Sequence, residues 1–134
     1  MQFSNGNIYT GQFENDFYDG FGKLVQKNGS QIYEGEFKKG YTHGHGKLKD
    51  LIRQTHFEGQ FVCGWKTGYG KMERLVDNSY ILEYEGGWLN SKYHGFGKNY
   101  NPTGRVPFFY KGHFKMGLRD GMGWLTSETL YNRG

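Results

Sequence analysis

The sequence predicts an all-β fold: an elongated single-sheet solenoid of about five stacked antiparallel β-hairpins. Three observations carry this. An aromatic-x-Gly-x-aromatic unit recurs at Tyr9/Gly11/Phe13, Tyr33/Gly35/Phe37, Phe57/Gly59/Phe61, Tyr84/Gly86/Trp88 and Tyr110/Gly112/Phe114. Each copy is followed by a Gly-x-Gly, at Gly20/Gly22, Gly44/Gly46, Gly68/Gly70, Gly95/Gly97 and Gly121/Gly123, always 9 residues from first glycine to first glycine. Between copies the step varies, at 24, 24, 27 and 26 residues. A fixed interior with variable joints is the signature of small structural units stacked in a row.

The second copy shows why each unit should be a hairpin. Tyr33, Gly35 and Phe37 are two apart and share a strand face, with Glu34 and Glu36 pointing the other way. Residues 38–43, Lys-Lys-Gly-Tyr-Thr-His, read as a polar loop. Gly44, Gly46 and Leu48 then share a face, opposite His45, Lys47 and Lys49. A helix is disfavoured, since each interior glycine costs it about 1 kcal/mol. Glycine in a strand is normally a weakness. Here it leaves a floor on which the rings of this and adjacent hairpins can lie, and some glycines suit a bulge with positive φ. The joints carry turn signals at Asn28-Gly29, Asp77-Asn78-Ser79 and Pro102-Thr103-Gly104. The segments Leu75 to Leu82 and Asn101 to Phe109 absorb the extra residues of the longer repeats. Asn5-Gly6 resembles the turn closing an earlier unit, so the opening residues read as a half-repeat cap.

Composition agrees. Glycine supplies 23 of 134 residues, more than twice the usual ~7%, and 11 Tyr, 11 Phe and 3 Trp outweigh a thin aliphatic content. The length suits one domain, 1–134, with repeats near 9–25, 33–49, 57–73, 84–100 and 110–125. A net charge of +4 permits contact with an acidic surface without demanding one. Cys63 is the single cysteine, which excludes an internal disulfide and suits a reducing compartment. The first six residues lack the basic start and apolar run of a signal peptide, and no stretch approaches the ~18 apolar residues of a membrane helix. The expectation is a cytoplasmic protein.

With Y-x-G-x-W/F followed by G-x-G in five copies, residues 7–125 resemble MORN (membrane occupation and recognition nexus) repeats. The resemblance implies a twisted antiparallel sheet of hairpins with an aromatic-glycine layer on one face. It also implies scaffolding: binding helices or tails of partner proteins, dimerising end to end, or sitting near membranes. Such repeats occur in ciliary radial spoke heads, apicomplexan cytoskeletal proteins and junctophilins, and beside catalytic domains in plant phosphoinositide kinases and a lysine methyltransferase. The chain departs from the pattern in three places. Phe57 replaces Tyr, Asp16 and Ser91 stand where Gly40, Gly64 and Gly117 occupy the loop, and Trp124 follows the last Gly-x-Gly where Lys23, Lys47, Lys71 and Lys98 follow the others.

Catalytic chemistry finds no foothold in the pattern. His43-x-His45 offers two metal-ligand types, but Cys63, His56 and His94 lie in other repeats at unrelated offsets. The Gly-x-Gly units lack the third glycine with a following helix, and the Gly-Lys-Ser/Thr ending, of nucleotide loops. No nucleophile-base set or carboxylate pair is signalled. The expectation is a non-enzyme without cofactor or metal.

Two rows on the face opposite the glycines are the candidate partner-binding groove. One holds the residue inside each Gly-x-Gly: Phe21, His45, Tyr69, Phe96 and Met122. The other holds Lys23, Lys47, Lys71, Lys98 and Trp124. They can simply be neutralised across strands by Glu34, Glu58 and Glu85 and packed within the sheet. Alternatively they form a shallow groove with an apolar floor and basic rim, suited to an amphipathic acidic helix or extended tail. Nucleic acid is not expected at this charge balance. The functional expectation is a scaffold or adaptor binding partner proteins, in a cytoskeletal or ciliary (axonemal) assembly, with edge-to-edge self-association at the sheet ends. The alternative is a peripheral membrane tether for anionic phospholipid.

Overall fold

Ten strands pair in strict chain order into one open antiparallel sheet. They are β1 (Ile8–Glu14), β2 (Phe17–Val25), β3 (Gln31–Lys38), β4 (Tyr41–Asp50), β5 (Thr55–Val62), β6 (Trp65–Val76), β7 (Ser79–Leu89), β8 (Lys92–Asn101), β9 (Phe108–Lys115) and β10 (Leu118–Ser127). The structure is a computed structural model and describes residues 6–101 and 108–127; side chains at 28, 101, 108 and 121–127 lie outside the description. Among the described residues the one helical element is a 3₁₀ turn, Lys27–Gly29. The five repeats are the hairpins β1/β2, β3/β4, β5/β6, β7/β8 and β9/β10, as the sequence predicts.

The register explains the glycines. Gly11, Gly22, Gly35, Gly46, Gly59, Gly70, Gly86, Gly97, Gly112 and Gly123 pair in succession across all ten strands, one per strand. This row is a trough without side chains, and the leading ring of each repeat lies across it. A Cβ added at Gly46 would fall inside the Tyr33 ring, against its Cε2, Cζ and hydroxyl, and Gly22, Gly70 and Gly97 stand likewise to Tyr9, Phe57 and Tyr84. Crossing the trough brings each leading ring to the second aromatic of the next repeat. The result is one zigzag of edge-to-face contacts: Phe13, Tyr9, Phe37, Tyr33, Phe61, Phe57, Trp88, Tyr84, Phe114, Tyr110. Successive centroids are 4.9–5.3 Å apart and planes cross at 77–89°. All but Phe13 are buried. Each contact is worth ~0.5–1.5 kcal/mol beyond the burial of the rings.

The first glycine of each Gly-x-Gly has another role, so the expectation that Gly44 also floors a ring needs correction. Every repeat has a bulge. Between Gly35↔Gly46 and Phe37↔Thr42 the single residue Glu36 faces His43, Gly44 and His45. Gly44 takes φ +87° there, a conformation glycine adopts without penalty. The bulge leaves the Glu36 carbonyl outside the strand pairing, and the Tyr33 hydroxyl donates to it at 2.7 Å. Tyr9, Tyr84 and Tyr110 donate likewise to Gln12, Gly87 and His113, at 2.6, 2.7 and 3.1 Å. Burial pushes the phenol of Tyr84 up to about 12. Phe57 has no hydroxyl to give. The buried indole of Trp88, from the following repeat, donates instead to the Gly70 carbonyl of that repeat at 3.1 Å.

The loops are tighter than residues 38–43 suggested. Each repeat turns on two residues of positive φ, such as Lys39 (+49°) and Gly40 (+87°), and Tyr41–His43 already belong to β4. Such turns match the strand twist. The β6/β7 joint turns the same way on Asp77 and Asn78, while Asn28-Gly29 sits in the 3₁₀ turn rather than a two-residue hairpin turn. Pro102-Thr103-Gly104 and Asn5 lie outside the described residues. At the β4/β5 joint, buried Asp50 accepts hydrogen bonds from the Ile52 and Arg53 amides at 3.0 and 2.9 Å and from the Gln31 side chain at 3.1 Å. Burial pushes its carboxyl up, but these bonds and the nearby Arg53 charge outweigh it, and the pKa is lowered.

Gly46→Val should therefore destabilise the protein by about 3 kcal/mol, the upper end for overpacking. Lys49→Val on the opposite face is the control, since Lys39 itself needs positive φ. Equal melting temperatures for the two variants would remove the trough from the account. Asp50 supplies a pH test. Its ionised form is favoured by folding, so its contribution is present above the unfolded pKa of ~3.9 and is lost as pH falls through the lower folded value. Asp50→Asn should be less stable at pH 7 by about 1–2 kcal/mol and should lose less than the wild type between pH 5 and pH 2. Thermal melts across that range check it; parallel losses in the two proteins would contradict it.

Candidate partner-binding face

With the rings committed to one face, the other is left open. Along it, Phe21, Tyr69 and Phe96 are 66%, 57% and 47% exposed, and His45 is exposed beside them. The bulges set this row. In the first three repeats the residue opposite the bulge turns its side chain onto the row's backbone: Gln12 accepts from the Phe21 amide, Glu36 from His45 and Gln60 from Tyr69, at 2.8, 2.6 and 2.8 Å. In the fourth that residue is Gly87, which has no side chain to give. Between His45 and Tyr69 the face dips into a cavity of about 330 Å³, lined also by Glu58, Gln60, Lys71 and Glu85. The Tyr69 hydroxyl donates to Glu85 at 2.5 Å. That bond, followed by burial, raises its pKa above the ordinary phenol value. His45 Nε2 lies 3.4 Å from Glu58. Phe96 meets the His113 ring edge to face at 5.6 Å. Met122 belongs to β10, and its side chain lies outside the described residues.

The second row is not uniformly basic. Pairing runs Lys23↔Glu34↔Lys47↔Glu58↔Lys71↔Glu85↔Lys98↔Lys111↔Trp124. Antiparallel register places a glutamate between successive lysines through three repeats, so the rim carries alternating charge rather than a basic edge. The alternation fails only where Lys98 faces Lys111. Like charges directly opposite repel, and positive potential therefore gathers at β8/β9 beside Phe96. Trp124 continues the row in β10, its side chain outside the description.

Sequence reasoning missed three features of this site. Lys111 went unnoticed because it belongs to the aromatic-x-Gly unit, not to the Gly-x-Gly unit that supplies the other lysines. Phe17, Tyr41 and Trp65, all more than half exposed, follow the hairpin turns at one repeat position and extend the aromatic surface to the tips. That signal was available in the repeat alignment. Third, Asp19, His43, Thr67 and His94 share a position whose variety suggested tolerance. Each side chain accepts a hydrogen bond from the turn of the following repeat, from the amides of Lys39, Cys63, Asn90 and Met116, at 3.3, 3.3, 3.1 and 3.3 Å. What these residues share is a short acceptor, which oxygen or Nδ1 supplies equally. His43 is thus engaged with a neighbouring turn, while His45 faces Glu58.

The family model for the MORN repeat matches residues 9–31, 33–50, 57–74, 84–104 and 110–129. The chain belongs to the MORN repeat family. MORN repeats are protein- and membrane-interaction modules, and the two-faced sheet gives a physical reason. Most of the ring face is consumed by folding, so the open face and the tips have the greatest freedom to vary with a ligand. A search of curated proteins finds no match to this MORN chain.

Proposed function

We propose that this MORN domain is a non-enzymatic scaffold or adaptor that binds a partner protein along its open face. In this reading it serves a cytoplasmic cytoskeletal or ciliary assembly. The observation that carries it is the exposed row Phe21, His45, Tyr69 and Phe96, rooted on paired strands, with the backbone amides of the first three fixed by side-chain bonds. Exposed apolar rows of this kind mark interaction sites. The aromatic row contributes contact area, and the alternating charges beside it favour a partner of matching pattern. The Lys98/Lys111 end favours the partner's acidic end, which fits an amphipathic helix or extended tail.

Double replacement of Tyr69 and Phe96 by Ser should abolish capture of the cellular partner while leaving the melting temperature within a few degrees of wild type, since neither side chain belongs to the ring zigzag. Lys98→Glu with Lys111→Glu should weaken capture, more strongly at low salt. Quantitative pull-down with mass spectrometry reads both. Retention of the partner by the folded Tyr69/Phe96 variant would defeat the reading. Sedimentation with phosphatidylserine vesicles, abolished by salt and indifferent to the aromatic substitutions, would favour a membrane tether instead.

A further inference from the structure

The ring face opens beside Lys66, and the repeat pattern explains it. The residue just after the exposed tip position is Tyr18, Thr42, Lys66, Tyr93 or Arg119. Tyr18 stacks on Tyr9 at 3.8 Å and 9°, and Tyr93 on Tyr84 at 3.8 Å and 4°. The Arg119 guanidinium stands 5.1 Å over Tyr110. Thr42 and Lys66 are narrower than tyrosine. At Lys66 a cavity of about 260 Å³ opens, walled by Phe57, Trp88 and Met72 and edged by Lys66, Arg53 and Asp50.

The charges around this cavity balance except for one. Arg74 Nη2 pairs with Glu83 at 2.9 Å. Asp50 accepts from Gln31, Ile52 and Arg53 and lies 4.0 Å from the Arg53 Nε. The Lys66 ammonium stands over Phe57 and Trp88, 5.3 and 5.7 Å from their ring centroids. Among the described residues no carboxylate lies within ion-pair reach of it. Burial, and after it repulsion from Arg53, lowers its pKa against the attraction of Asp50. A partly desolvated ammonium on aromatic faces, with a second cation beside it, suits an incoming carboxylate.

We infer that this cavity is a second binding site, taking one glutamate side chain of a partner protein, with its carboxylate between Lys66 and Arg53 and its methylenes against Phe57 and Trp88. The volume lies below the ~300–1,000 Å³ of pockets for drug-sized ligands, which favours a single side chain. The apolar wall favours a stem that carries methylenes. The site is on the face opposite the aromatic row and does not rest on the reading of that row.

The test is an NMR titration with N-acetyl-glutamate N-methylamide, using the glutamine analogue as control. The glutamate probe should shift the Trp88 indole and Ser91 amide resonances saturably, and the glutamine probe should not. Lys66→Met should weaken binding at least tenfold, a loss worth ~1.4 kcal/mol, with Lys49→Met unchanged. Should Lys66→Met fail to fold, Arg53→Gln reads the same loss from a largely exposed side chain. Equal shifts from both probes, or wild-type affinity in the folded Lys66 or Arg53 variant, would overturn the site. Displacement of the probe by an equal concentration of acetate would overturn the assignment to a side chain, because the stem would then contribute nothing.

Discussion

An aromatic ring cannot cross a neighbouring strand that carries a side chain in its path, and the whole molecule follows from relieving that clash. Tyr33 starts on β3 and meets Phe61 on β5 at 5.1 Å, which requires it to pass over β4 at Gly46. The same crossing recurs at Gly22, Gly70 and Gly97. Glycine is a poor strand residue by itself. Here its weakness is offset because each glycine admits a buried ring that joins two repeats. The interaction that stabilises a hairpin is thus largely the one that attaches it to the next. A single hairpin would leave its leading ring half covered and its trough open, as expected of repeats whose stability lies mainly in nearest-neighbour contacts.

A second set of bonds ties the hairpin tips. The amides of Gly40, Gly64, Ser91 and Gly117 donate to the carbonyls of Tyr18, Thr42, Lys66 and Tyr93 in the preceding repeat, at 2.7–2.9 Å. Each of these donors is the second turn residue, and the first turn residue is held by the Asp19, His43, Thr67 or His94 side chain. Two-residue turns are short enough to present both amides to the neighbour. A six-residue loop at 38–43 would have detached the tips and left only the rings to hold the repeats in line.

Much of this was legible because the repeat is exact inside and loose outside. The constant 9-residue offset located every hairpin, and alternation assigned the faces of Tyr33, Phe37, Lys47 and Glu58 correctly. Alternation misled only where it is interrupted. A bulge of one residue against three cannot be seen in a single strand, because it is a property of the pairing, so the role of Gly44 and the caps by Gln12, Glu36 and Gln60 were hidden. The charged row was legible in part. Neutralisation of the lysines across strands by Glu34, Glu58 and Glu85 was one of the two readings and the register bears it out, but its failure at Lys98 and Lys111 depends on the inter-repeat pairing. The cavity near Lys66 needed both, being visible only when the ring-covering residues of successive repeats are compared in space.

The division of labour between faces has a consequence for how such a sheet acquires specificity. The ring face tolerates little change, since an added methyl at the trough meets backbone or ring, as at Gly35, where a Cβ would lie 2.5 Å from the Gly46 Cα. The open face has no opposing layer among the described residues, so its side chains are anchored from below, through backbone and bulge, rather than by packing from above. Exchange of Phe21, His45, Tyr69 or Phe96 alters what the face presents while leaving the zigzag intact. The same argument applies in miniature to the ring-covering position. Tyrosine there closes the layer by stacking, whereas lysine at position 66 leaves it open, between repeats that remain joined by Phe57–Trp88. The side chains free to vary in this molecule therefore sit where the repeat consensus is silent, and the positions shared by all five repeats supply the framework that holds them.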